Sequence, residues 1–335
     1  MPQDRTGAAP PGGLTAEVVY AGYGRESDYA GNNAAGKIAL QETWGLDSSE
    51  KLSIARHFGV AGLIWIHAHP GGKLAAWGLT AEPASMPVVC VSYEDGQRLR
   101  RACQEGPVVV RLDCDVAGEP GYSDHLFMEI PGTDGSGRVF MLVAHRDTTH
   151  ISPGANDNAS GMAAVLEIMR AFRDQPLPFG LRAMFSAAEE GGGIGLAQYA
   201  REHLKGNSHT VLGAINLDMI SVGSNLRIVT GDKRSRTSAR INEYLARSAA
   251  SLNYHLDSYE ISIGLADTGP LLDAGIPASW LFKPDDPRVH TDEDLPEHVN
   301  ANDLKVTADI VAHALISMGN DIAGMGKGGT AVGIR

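Results

Sequence analysis

Two histidines and several carboxylates in this chain stand at the ends of apolar runs, an arrangement suited to holding metal ions and moving protons. Residues 139–144 form an apolar strand pattern that leads directly into His145, Arg146 and Asp147. Side chains two apart on an extended segment project the same way, so Asp147 is placed to hydrogen-bond whichever ring nitrogen of His145 faces away from a metal. Twelve positions after His145, Asp157 sits in the segment Gly154-Ala155-Asn156-Asp157-Asn158-Ala159-Ser160-Gly161, just before an apolar-periodic stretch. The segment also reads as a capped helix start, with Asn158 or Ser160 as the N-cap. Even so, a carboxylate beside a helix N-terminus stays ionised and can ligate metal. The apolar run 181–186 delivers the adjacent pair Glu189 and Glu190. Such close like charges repel unless a cation lies nearby, and adjacent side chains point apart, so one can bind metal while the other faces an activated water. Residues 212–217 similarly end in Asp218, and His290 precedes an acidic stretch at 292–294. Each feature alone reads as strand-end polarity. Their repeated placement just after apolar strands points to one constellation. Two histidines and three carboxylates suit zinc, cobalt or manganese better than calcium, and unfilled coordination positions leave room for water.

The elements that must position these residues follow from periodicity. Strands are expected at 127–130, 139–144, 181–186, 212–217, 226–229 and 278–282, and helices at 159–173, 195–203, 236–252 and 301–318. Met162, Val165, Leu166, Met169 and Phe172 recur at helical spacing and mark a core-facing stripe. The alternation predicts an α/β fold with a mostly parallel sheet covered by helices on both faces, its ligands beyond the carboxyl ends of the strands. Residues 14–117 read differently, as a small β-rich module. It has strand runs at 17–20, 37–40, 62–66, 87–92 and 107–112 and helical patches at 48–58 and 93–103. Residues 118–320 are expected to form the catalytic domain. The Pro/Gly-rich stretch 1–13 and the Gly-rich stretch 321–335 are expected to be flexible tails.

Composition narrows the function classes. A formal net charge of -12 over 335 residues, with no clustered basic surface, argues against nucleic acid or an anionic membrane as partner. No stretch approaches the roughly eighteen apolar residues of a spanning helix, and the N-terminus lacks a basic start followed by an apolar run. As written, the chain is expected to be soluble and cytoplasmic, and secreted if an N-terminal segment is missing. Cys90, Cys103 and Cys114 are odd in number and lack CxxC spacing, so no disulfide framework is expected.

Five segments, His145 to Asp147, Pro153 to Gly161, Glu189 to Tyr199, Asn216 to Ile220 and His290 to Asp294, resemble in order and spacing the two-zinc aminopeptidases and glutamate carboxypeptidases of clan MH. The β-rich module resembles the protease-associated domain often inserted in that family, through Val18 to Gly24, Gly36-Lys37-Ile38 and Pro87 to Leu99. The resemblance implies the zinc exopeptidase fold and two Zn2+ per chain, with cobalt or manganese as substitutes. It implies His145, Asp157 and Asp218 as ligands of one metal and Asp157, Glu190 and His290 as ligands of the other, with Asp157 bridging. It further implies Glu189 as the general base, Asp147 as the carboxylate holding His145, and a cis peptide at Asp157-Asn158. The expected activity is exopeptidase hydrolysis of a peptide or small amide, foremost from the amino terminus. The alternatives are a carboxypeptidase, a non-peptide amidohydrolase, a glutaminyl-cyclase-like acyltransferase working with a single zinc, or a non-catalytic receptor-like binding protein.

The chain departs from the family pattern in several places. Val289 precedes the last ligand where relatives often carry tyrosine, and Ala266-Asp267-Thr268 stands where Ser-Asp-His is usual, so no side-chain donor for the tetrahedral oxyanion is identified. Arg146 resembles the carboxypeptidase branch, whereas residues 154–161 resemble the aminopeptidase branch. Arg146 and His150 read as solvated surface residues with a possible influence on specificity. Relatives have peptidase secondary structure before the inserted module, whereas this chain enters the module by about residue 14.

Overall fold

The computed structural model describes residues 1–325 apart from 4, 78–83, 117–120, 207, 232 and 262–265. The expected boundary at 117/118 and the last ten residues of the expected tail at 321–335 therefore lie outside the described residues.

The first part of the chain runs β1 (Leu14–Tyr20), α1 (Glu26–Tyr29), β2 (Ile38–Glu42), α2 (Ser48–His57), β3 (Gly62–Ile66), β4 (Val88–Val91), α3 (Tyr93–Glu105) and β5 (Val109–Leu112). These strands form one sheet in the order β4-β3-β2-β1-β5, parallel from β1 to β4 with β5 antiparallel at the edge. Parallel pairing requires a crossover, which α2 supplies between β2 and β3, while α3 carries the chain from β4 to the antiparallel edge strand β5, so the β-rich stretch is itself an α/β layer. Asp47 and Ser92 cap those helices by accepting from the backbone N–H groups of Ser49 and Asp95.

The described residues of 1–13 are held by backbone hydrogen bonds rather than forming the loose tail their composition suggests. Gln3 N–H donates to Val88 O, Gly7 N–H to Met86 O and Ala9 N–H to Cys114 O, while Cys90 N–H donates back to Met1 O. The exposed edge of β4 offered unpaired backbone groups, and this segment satisfies them. Cys90, Cys103 and Cys114 are all free thiols.

The second sheet is built from β6 (Leu126–Ile130), β7 (Val139–His145), β8 (Gly180–Ser186), β9 (Val211–Leu217), β10 (Arg227–Val229), β11 (Asp257–Tyr259) and β12 (Ala278–Phe282). Its order is β11-β10-β12-β9-β7-β8-β6, with only the β6–β8 and β10–β12 pairs antiparallel. Around it lie α4 (Gly161–Phe172), α5 (Ile194–Tyr199), α6 (Ala239–Ser251), α7 (Thr268–Asp273) and α8 (Ala301–Met325). The two faces of β7 show why its sequence is a continuous apolar run. Phe140, Leu142 and Ala144 enter the core shared with α4, α6 and α8, while Met141 and Val143 enter the opposite core with Leu196 of α5 and Leu271 of α7. Met162, Val165 and Met169 of α4 pack as their spacing predicts, but Leu166 is exposed. Helix α8 continues to Met325, beyond the expected end at 318.

The turn into α4 is fixed by close approach. A Cβ on Gly161 would lie 2.1 Å from the carbonyl oxygen of Leu217 at the end of β9. Gly161→Ala is therefore expected to lower stability by roughly 1–3 kcal/mol through overpacking. Calorimetry should show a clearly lower melting temperature, and an unchanged one would refute the contact.

Candidate active site

Strands β7, β8 and β9 are parallel neighbours, so their carboxyl ends fall on one edge, with His145 paired to Ser186 across β7 and β8. The chain leaves β8 towards Glu189 and Glu190, leaves β9 into Asp218, and enters α4 through Asp157, which brings the expected residues together. His145, Asp157, Glu190, Asp218 and His290 are all buried.

Asp157 lies between the two histidines. Its Oδ1 is 3.0 Å from His145 Nε2 and its Oδ2 is 3.0 Å from His290 Nε2. Each histidine nitrogen faces one further carboxylate: Asp218 Oδ1 at 3.3 Å from His145 and Glu190 Oε2 at 3.0 Å from His290. The donors thus fall into two triads sharing one carboxylate. Across the triads, one atom from each of His145, Asp157 and Glu190 lies within 4.8 Å of the others.

Electrostatics show how much this cluster needs positive charge. Burial alone would raise the Asp157 carboxyl, but hydrogen bonds from both histidines hold it well below the usual range. Burial pushes Glu190 up to about 7 against the pull of His290, and burial also raises Glu189 and Asp218. For His145 and His290 burial acts downward, yet the facing carboxylates raise both well above an ordinary histidine. In addition, Glu190 Oε1 is buried without a hydrogen-bond partner among the described residues, as befits a group able to ligate a cation. An imidazole–carboxylate donor set of this kind fits zinc or a similar ion.

The supporting contacts differ from one expectation. His145 Nδ1 is 3.0 Å from the backbone carbonyl of Asp147, whereas the Asp147 carboxylate lies 4.0 Å away. That carboxylate instead accepts the N–H groups of Glu189 and Glu190, each at 3.2 Å, and so fixes the turn that separates the two glutamates. Ala188 in this turn, Met219 after Asp218, and His290 itself have positive φ values of 58°, 53° and 61°, conformations that surrounding contacts must enforce.

Those contacts come from polar residues around Asp157. Its own N–H and that of Asn156 donate to the two oxygens of Asp294, at 3.0 and 2.7 Å. Asn156 Oδ1 accepts from Ser221 and Val222 N–H, and its Nδ2 donates to Asp286. Asn158 spans from Leu217 O to the N–H groups of Gly161 and Met219, and Ser160 Oγ accepts from Ile220 N–H. The peptide Asp157-Asn158 is cis, as the resemblance implied.

Asp286 and the Ser186–Asp267 hydrogen bond carry no sequence signal separating them from other loop polarity. Asp294 was visible only as part of an acidic stretch. Asp267 is fully buried, and burial lifts its carboxyl to about 6. Arg146 turns away, donating from Nε to Asp124 O and from a terminal nitrogen to Ser123 Oγ, and His150 is exposed.

Because Glu190 must lose a proton to accept a cation, zinc uptake by metal-free protein should release protons and weaken as pH falls through about 7. Calorimetric titrations in buffers of different ionisation enthalpy would detect the release, and pH-independent binding would contradict it.

Known proteins share this architecture. The chain is 26% identical over 328 residues to aminopeptidase YwaD of Bacillus subtilis, covering 93% of this chain and 69% of YwaD. It is 29% identical over 194 residues to leucine aminopeptidase 2 of Trichophyton rubrum, covering 58% of this chain and 39% of that protein, so it spans well under half of the fungal relative's length. The solved structure of BSAP, a zinc aminopeptidase from Bacillus subtilis, superposes with a TM-score of 0.73 at 25% identity over 93% of this chain and 77% of that one. A PA-domain family model matches residues 14–99. The model for peptidase family M28 matches residues 125–315, more than half of the sequence and all of the clustered residues, and the chain belongs to that family.

Proposed function

We propose that this protein is a metal-dependent exopeptidase that removes residues from the amino terminus of peptides, using two zinc ions. The observation that carries the proposal is Asp157, whose two oxygens each lie 3.0 Å from a different buried histidine nitrogen. His145, Asp157 and Asp218 would hold one ion, and Asp157, Glu190 and His290 the other. Bound zinc supplies Lewis acidity, polarising a carbonyl and lowering the pKa of water. Glu189, partly exposed beside the cluster, takes the proton of the attacking water on a carboxylate oxygen and passes it to the leaving amine. Asp147 keeps Glu189 and Glu190 apart through their backbone N–H groups, so that one carboxylate can ligate while the other stays free for the proton.

Charge supports the amino-terminal reading. Asp147, Asp157, Glu189, Glu190, Asp218 and Asp267 gather around two histidines, while the nearby guanidinium of Arg146 points elsewhere. Two divalent ions leave that set net negative, which favours a cationic amine over a substrate carboxylate. The names of the aminopeptidase relatives agree. The substrate is thus a peptide or aminoacyl amide.

A panel of aminoacyl, dipeptide, C-terminal glutamyl and N-acyl substrates, assayed with zinc and with cobalt, tests the reading. Hydrolysis of aminoacyl substrates that chelators abolish is expected, and full activity without metal would sink it. Glu189→Gln should keep both ions while kcat falls roughly 10² to 10⁴-fold, as for a lost general base. Glu190→Gln should instead lose or weaken one ion, and the reverse pattern would exchange the two roles.

A further inference from the structure

The sheet formed by β1–β5 contributes none of the five residues His145, Asp157, Glu190, Asp218 and His290, yet the segment after β3 reaches into the site at His290. The Trp77 ring lies against the His290 imidazole with centroids 4.5 Å apart and planes inclined by 55°. Its neighbour Ala76 donates its backbone N–H to the His290 carbonyl at 3.1 Å, and Lys73 pairs with Glu293 at 2.7 Å, three residues beyond His290.

These contacts matter because the two histidines are held differently. His145 lies at the end of a paired strand, and its Nδ1 meets the Asp147 carbonyl at 3.0 Å. His290 lies in a loop, has a φ of 61°, and its buried Nδ1 has no hydrogen-bond partner among the described residues. A metal-binding histidine is ordinarily oriented by a hydrogen bond to its second nitrogen. At His290 the tilted Trp77 ring packed against the imidazole restricts its rotation, and the Ala76 N–H fixes a backbone conformation that a non-glycine residue adopts only under constraint.

The supporting segment is itself anchored at some distance. Gln3 accepts the backbone N–H of Trp77 at 2.8 Å through Oε1 and donates from Nε2 to Ala75 O at 3.1 Å, and it is buried, its own N–H bonded to Val88 of β4. Trp44 packs edge-on against Trp77 at 5.6 Å. The loop carrying Trp44 is held by Lys51, whose Nζ donates to the carbonyls of Glu42, Thr43 and Trp44.

We propose that the β1–β5 sheet is a positioning element for one half of the metal centre. Trp77 is its positioning residue and sets the affinity of the ion held by His290, Glu190 and Asp157, leaving the ion held by His145 and Asp218 unaffected. This rests on the two-ion reading given above.

The test titrates metal-stripped full-length protein with cobalt(II), following heat and the visible absorption of bound cobalt. Wild type is expected to take two ions per chain. Trp77→Ala should keep one binding step at wild-type affinity and weaken the other about 10- to 100-fold, the usual effect of losing a residue that orients a ligand. The weakened step should be the one that Glu190→Gln also weakens. Trp77→Phe, which keeps an aromatic face, should restore that step. Gln3→Ala, which touches neither metal position, should give a smaller loss confined to the same step. Equal weakening of both steps, or two unchanged steps in Trp77→Ala, would overturn the proposal. Fewer than two ions in wild type would overturn it together with the two-ion reading, a failure visible before any substitution is made.

Discussion

The structure is organised around the mutual repulsion of buried carboxylates. Asp157, Glu190 and Asp218 crowd around two imidazoles, with Glu189 beside them. In a low-dielectric interior such a set of like charges is tolerated only if cations or protons compensate. Burial accordingly raises Glu189, Glu190 and Asp218 towards protonation, while contacts with both histidines hold Asp157 below the usual carboxylate range. Two divalent ions would relieve the same repulsion without moving the ligands far, because the donors already fall into two triads.

Holding charged groups in that arrangement requires a frame that does not yield. Three parallel strands supply its coarse form by ending at one edge. The fine form comes from Asn156, Asn158 and Ser160, which stitch the turn before α4 to the segment after β9, and from Asp294, which takes both N–H groups leading into Asp157. These contacts are buried, and a partly satisfied buried network would be unfavourable. Small residues are needed where the backbone comes close, as at Gly161 against Leu217. The same logic explains the positive φ values at Ala188, Met219 and His290, each next to or within a clustered residue.

The position before His290 carries Val289, which is buried and has no polar group to offer an oxyanion. Thr268, in the unusual Ala266-Asp267-Thr268 segment, is fully buried at the start of α7, and Asp267 is hydrogen-bonded to Ser186. The segment therefore acts on the site through β8, which carries Ser186 and leads into Glu189 and Glu190. None of the described helices is long and apolar enough to cross a bilayer.

The sequence by itself determined the α/β class, the order of the main strands and helices and the identity of the clustered residues. Apolar strands ending in His, Asp or Glu are a local signal, and the ordered motifs tie those ends to one family. Boundaries set by tertiary contacts were not legible. Residues 1–3 belong to a stretch that looks like a tail by composition but pair with the open edge of β4, and α8 runs on to Met325 where periodicity suggested 318. Sequence spacing placed Asp147 beside His145, yet only the fold decided that its carboxylate would serve the backbone of Glu189 and Glu190 while its carbonyl met the ring. The seating of Trp77 on His290 was equally hidden, because more than two hundred positions separate them and neither residue carries a local signal for the other. Periodicity reports which face of an element is buried. Which distant group fills the space beside a charged side chain is a property of packing, and only the folded chain settles it.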